Sequence, residues 1–98
     1  GNVELVALTS TNVIYVCGYE MVSTAAQAFQ WIYGTGTACA TGETDISGPM
    51  AFAANGGIAK ANAGAVQFKT AASNALCIET SGTGQVSGYV TYVKTAAP

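Results

Sequence analysis

Four stretches of the chain alternate with a period of two, which is the mark of β-strands rather than helices. From Val13 to Val22 one face carries Val13, Tyr15, Cys17, Tyr19 and Met21, and the other Ile14, Val16, Gly18, Glu20 and Val22. Both faces are largely apolar, so this strand is expected to be central and covered on both sides, or covered on one side by a neighbouring subunit. From Gln27 to Tyr33 the alternation is sharper: Phe29, Trp31 and Tyr33 oppose Ala28, Gln30 and Ile32. Three large rings on one face predict the core. Ala75–Thr80 sets Leu76 and Ile78 against Cys77 and Glu79, and Gln85–Lys94 sets Val86, Gly88, Val90 and Tyr92 against Ser87, Tyr89, Thr91 and Val93. Weaker patterns predict strands at Glu4–Thr9, Pro49–Ala54 and Ala65–Lys69, the last with Val66 and Phe68 pointing one way.

The segments between these patterns read as turns and links. Thr9–Asn12, Thr70–Asn74 and Ser81–Gly84 are polar turns, and Asn55-Gly56-Gly57 tolerates positive φ. Ser23–Gln27 and Ile58–Gly64 read as small-residue links, and Gly34–Gly48 as a long loop holding Cys39, Glu43 and Asp45. Six to eight short strands with turns between them predict an all-β fold: a small antiparallel β-sandwich, jelly-roll-like, with residues 1–98 as one domain. An immunoglobulin-like sandwich is the other topology this strand count allows. Cys17, Trp31 and Cys77 imitate its Cys…Trp…Cys order, but the Cys39 loop and the missing tyrosine corner before Cys77 argue against it.

Composition narrows the function more than the fold. The chain has no His and no Arg, and only 3 Lys against 5 Asp or Glu. The usual acid–base residue of enzymes is absent, and no Lys neighbours a Ser in a recognisable nucleophile motif. The reading is non-enzymatic, with no catalytic residue, cofactor or metal site. Nucleic acid is not expected as a partner, because clustered cations are missing. Membrane is not expected either: apolar runs fall well short of the roughly 20 residues a spanning helix needs. The opening Gly1-Asn2-Val3-Glu4 carries no basic n-region, so no signal peptide is expected there. Gly34-Thr35-Gly36-Thr37 lacks the Lys and the helix of a phosphate loop and reads as a strand-exit turn. Glu43 and Asp45 are too few for a calcium site and read as solvated. With charged residues at 8 % and a net charge of −2, repulsion between copies is weak, and a self-association surface is expected. Tyr15, Tyr19, Tyr89 and Tyr92 are its candidate aromatics, weighed against a plain role in core packing.

Cys17, Cys39 and Cys77 make an odd set. Cys39 sits in the long loop, where an unpaired thiol would be reactive and where a bridge would anchor the loop. One disulfide using Cys39 is expected, with Cys17 or Cys77 as partner and the third Cys buried and reduced.

Three pieces taken in order carry a resemblance: Val13-Ile14-Tyr15-Val16-Cys17-Gly18-Tyr19, Tyr33-Gly34-Thr35-Gly36-Thr37-Ala38-Cys39, and Asn74-Ala75-Leu76-Cys77-Ile78 followed by Val86–Val93. The chain from Val13 to Lys94 resembles small β-sandwich modules of tailed-bacteriophage virions, of the head-decoration or fibre-knob type. The resemblance implies self-assembly as a homotrimer and attachment to the major capsid protein or another virion protein. It places the protein on the particle surface after assembly in the host cytoplasm. The leading expectation is a capsid decoration or cement protein. The alternatives are a receptor- or glycan-binding fibre module, motivated by the tyrosines, and a filament subunit that donates its N-terminal strand.

Overall fold

In the computed structural model, which describes residues 1–61 and 65–98, the chain forms nine strands and one 3-10 turn. They are β1 (Asn2–Val6), β2 (Asn12–Ser23), β3 (Gln27–Thr35), the turn Thr37–Cys39, β4 (Thr41–Asp45), β5 (Met50–Phe52), β6 (Gly57–Ala61), β7 (Phe68–Lys69), β8 (Ala75–Thr80) and β9 (Val86–Ala96). Sheet A has the order β1-β8-β3-β4, with β5 also on β3; sheet B has β6-β2-β7, with β9 also on β2. Every pairing is antiparallel. The expected all-β antiparallel sandwich is the observed architecture.

The two sheets meet over apolar inward faces. Sheet B contributes Ile14, Val16, Tyr19 and Met21 from β2; sheet A contributes Val6, Phe29, Trp31, Leu76 and Ile78. Burying each large side chain stabilises by about 1.5–3 kcal/mol. Trp31 sits at the junction, with the Tyr19 ring at 4.9 Å and the Phe68 ring at 5.0 Å, both on the opposite sheet. Phe29 stacks on Phe52 at 4.9 Å and meets Trp31 edge-on at 6.3 Å. Tyr33, the third ring of that face, is half-buried.

A β-bulge corrects the expected faces of β2. Val16 lies opposite Tyr92 and Gly18 opposite Thr91, so Cys17 is an extra residue with no partner of its own on β9. The alternation slips by one there. Ile14 and Val16 point inward before the bulge, and Tyr19 and Met21 after it. Strict alternation placed Tyr19 and Met21 with Val13 and Tyr15; the bulge divides that set.

Other segments differ in extent. β1 runs from Asn2 to Val6 rather than from Glu4 to Thr9, and the chain leaves the sheet at Ala7. The loop Gly34–Gly48 contains the 3-10 turn and β4, which hydrogen-bonds to β3 as a hairpin arm. The link Ile58–Gly64 is largely β6, paired with β2; its residues 62–64 lie outside the described residues. The strand Ala65–Lys69 shrinks to β7, leaving Val66 exposed while Phe68 packs on the core.

Sheet A also has a small core on its outer face. Ile32, Ala75 and Cys77 point away from the sandwich and are covered by the Thr37–Cys39 turn, with Cys39 fully buried. Gly34 makes this possible, because a Cβ there would lie 2.7 Å from the Cys39 carbonyl oxygen. The turn is bolted by the Cys39–Cys77 disulfide and by Asn2 Nδ2 donating to the Ala38 carbonyl at 3.0 Å.

At the far end of β9, Lys94 Nζ donates to the Ala7 carbonyl at 2.6 Å and to Thr9 Oγ1 at 3.0 Å, tying β9 to the β1–β2 connection. These bonds are exposed, so Lys94→Met is expected to cost about 1 kcal/mol or less. In urea melts the midpoint should fall slightly with the slope unchanged; a loss of several kcal/mol would show that the contact holds more than this corner.

Candidate functional site

One side of the sandwich is open. β1 is the border strand of sheet A, and β9 pairs only β2 among the described residues, so both present an unpaired backbone edge. Between them lies a cleft of about 460 Å³, lined by Leu5, Met21, Ile78, Val86 and Val90 among others. The lining is more apolar than polar, because β9 turns Val86 and Val90 inward against a face of sheet A that ends at β1, while Asn2, Thr80, Thr83 and Ser87 contribute polar groups.

The free edge of β9 can be assigned residue by residue. Thr24 N donates to the Gln85 carbonyl at 2.9 Å, and Ala97 N to the Thr11 carbonyl at 2.8 Å. Between these points the register shift lies on β2, and β9 keeps its register throughout, with Gly88 at φ 152° where a Cβ would strike the Glu20 carbonyl. In an antiparallel pair the bonded residues alternate. Odd-numbered residues of β9 therefore turn their N–H and C=O to β2, while Val86, Gly88, Val90, Tyr92 and Lys94 turn theirs to the open side.

The four candidate tyrosines divide between core and surface. Tyr19 is buried at 8 % exposure, turned inward by the bulge, and is no surface aromatic. Tyr15 is half-buried on the outward face of sheet B, opposite Val93 and Lys69. Tyr89 and Tyr92 are exposed on β9 at 57 % and 45 %, with Val93 beside them at 54 %. Tyr89 falls on the outward row opposite Glu20 and also borders the cleft; Tyr92 lies on the inward row opposite Val16, two residues along β9 from the cleft-lining Val90.

The three cysteines divide likewise. Cys39 and Cys77 form the disulfide, and Cys17 is free. Cys17 lies in sheet B and Cys77 in sheet A, so the folded chain settles the partner of Cys39 by placing β8 directly beside β3. Cys17 is half-buried in the bulge, not buried as expected, because a bulged residue has no packed neighbour strand on its own row. Cys17→Ser is therefore expected to change stability by less than about 1 kcal/mol and to leave the disulfide intact, read by thermal melting and thiol alkylation.

Charges segregate between the sheets. Asp45 and Glu79 flank Gln30 on the outward face of sheet A and accept from its Nε2 at 2.9 and 3.0 Å. Glu43 accepts from Asn2 Nδ2 at 2.6 Å, and Glu4 lies opposite the outward Cys77. Only Glu20 is on sheet B, whose strands β6, β7 and β9 carry Lys60, Lys69 and Lys94. Among the described residues no group of three His, Cys, Asp or Glu could hold a metal ion. Glu43 and Asp45 are exposed, but on a strand rather than in a loop.

These features define a small disulfide-bolted β-sandwich with an apolar open edge and one acidic face. No known protein family, curated protein or solved structure matches the chain. Sequence reasoning missed the edge itself. The signal for it was the stretch Val86–Val93, which has neither a charge nor a proline.

Proposed function

We propose that this protein is a non-enzymatic structural module that acts by packing against other protein, as a capsid decoration or cement protein of a bacteriophage virion. The observation that supports a packing role is the open edge, where Tyr89, Tyr92 and Val93 stand exposed beside an apolar cleft. Exposed apolar surface of this kind, rimmed by polar residues, marks interaction sites. The capsid as the place of action rests on the resemblance carried by the strand and turn order from Val13 to Lys94. In this reading copies of the module associate, attach to the outer shell and stabilise it by burying the edge.

The test is localisation on intact particles and binding to shells that lack the protein. Bound density on the outer head surface, with a raised disruption temperature of refilled shells, is the expected result. Density confined to the tail, or absence from the particle, would overturn the capsid assignment. The filament reading is less well supported, because β1 is already paired with β8 of its own chain and is not free for donation. Glycan-array binding by the isolated chain would instead favour the fibre-module reading.

A further inference from the structure

We infer that two copies of this chain join edge to edge through β9, in an antiparallel pair centred on Thr91, fusing their two B sheets into one. The inference rests on the self-association in the reading above and specifies its surface and geometry.

The backbone sets the first condition. The residues of β9 that turn N–H and C=O outward are the even-numbered ones, and an antiparallel mate must offer the same set. Pairing β9 with itself satisfies this whenever even residues meet even residues. The same parity keeps side chains on matching faces, which a one-residue slip would scramble. Natural sheet edges are usually guarded by charge, proline, bulges or shortness. β9 spans 11 residues, and Val86–Val93 has no charge and no proline.

Side chains then choose the centre. With Thr91 opposite Thr91 of the second copy, outward-facing Tyr89 meets Val93 of the second copy, and inward-facing Val90 meets Tyr92 of the second copy. Both exposed tyrosines gain a β-branched neighbour, a favourable cross-strand combination. The one charge on the strand, Lys94, falls opposite Gly88 of the second copy, so no like charges face each other. Centring on Val90 would leave Tyr92 against Gly88 and Val93 against Ser87. Centring on Tyr92 would set Val90 against Lys94. Neither satisfies the apolar residues as fully.

The cleft supplies an independent reason. Val90 lines it, and Tyr92 of the second copy would lie beside Val90 on the same inward face. Each copy thus places a ring over the other's cleft. This accounts for an inward-facing tyrosine that is 45 % exposed in the single chain.

The experiment is sedimentation velocity of the full chain at micromolar concentrations, with far-UV circular dichroism and melting as folding controls. Tyr89→Lys with Val93→Lys puts like charges across the seam and is expected to weaken the dimer at least about tenfold. Tyr89→Lys with Val93→Glu puts opposite charges there and is expected to restore it, less so at high salt. Both positions are exposed and face outward, so the fold is retained. Thr91→Cys, in a Cys17→Ser background, is expected to give a disulfide-linked dimer on oxidation, since directly opposed residues of an antiparallel pair come within bridging distance. A wild-type monomer at all concentrations would overturn both this inference and the self-association beneath it. A trimer, or a dimer indifferent to the paired lysines, would leave self-association standing and overturn the β9 seam. Failure of Thr91→Cys to cross-link would overturn the Thr91 register.

Discussion

Replacing Cys39 and Cys77 together by Ala is expected to lower the unfolding free energy by about 4 kcal/mol in the chain-entropy account of a disulfide. The bridge spans 38 residues, from the turn after β3 to the middle of β8, so the unfolded chain loses much freedom when it is closed. The native state has little to offset that. Both cysteines are fully buried with Ile32 and Ala75, and Ala at both sites leaves this outer core short of two sulfur atoms. For a domain of this size, with stability of about 5–15 kcal/mol in total, such a loss is a large fraction of the whole. Urea melts with and without reductant measure it: wild type should fall under reductant, and the double variant should not respond. A cost below about 1 kcal/mol would mean that the turn stays packed on β8 without its bolt.

Trp31→Ala is expected to cost about 3–5 kcal/mol, the range for deleting a buried indole. Trp31 is 1 % exposed and joins the sheets through Tyr19 and Phe68, so its removal opens a cavity where the layers meet. Trp31→Phe should cost less than half as much. Its Nε1 has no hydrogen-bond partner among the described residues, so the substitution forfeits volume and rings but no bond. The melts should be followed by circular dichroism, because Trp31 is the sole tryptophan. Equal costs for Ala and Phe would contradict this account.

The long strands were legible because their inward faces carry large side chains at every second position. β3 and β8 show it in Phe29, Trp31, Leu76 and Ile78, and β9 in Val86 and Val90. β4 was not legible: Thr41–Asp45 is exposed along its whole length, and a strand with no buried face leaves no periodic signal. β6 was hidden by small residues, and β7 is two residues long. The bulge at Cys17 left no mark in the pattern, since both faces of β2 are apolar and a slip exchanges one apolar set for another. Residue type alone therefore could not separate Tyr19, which the bulge turns into the core, from the exposed Tyr89 and Tyr92. Cys39 was legible as an anchor, but its partner depended on which sheet holds each strand, a non-local fact. The same holds for the candidate site. Tyr89 and Tyr92 could be picked from residue type, whereas the free edge beside them is a matter of pairing.

The separation of charge between the sheets gives the molecule a directional electrical character that its net charge of −2 conceals. Glu4, Glu43, Asp45 and Glu79 make one broad side anionic, while the lysines are borne on strands of the other sheet. Seen from a distance beyond roughly 8–10 Å in physiological salt, the domain is close to neutral. At contact it is a plate with a recognisable upper and lower side. A surface carrying fixed positive charge would meet it preferentially through sheet A, leaving the tyrosine-bearing edge standing upright and accessible.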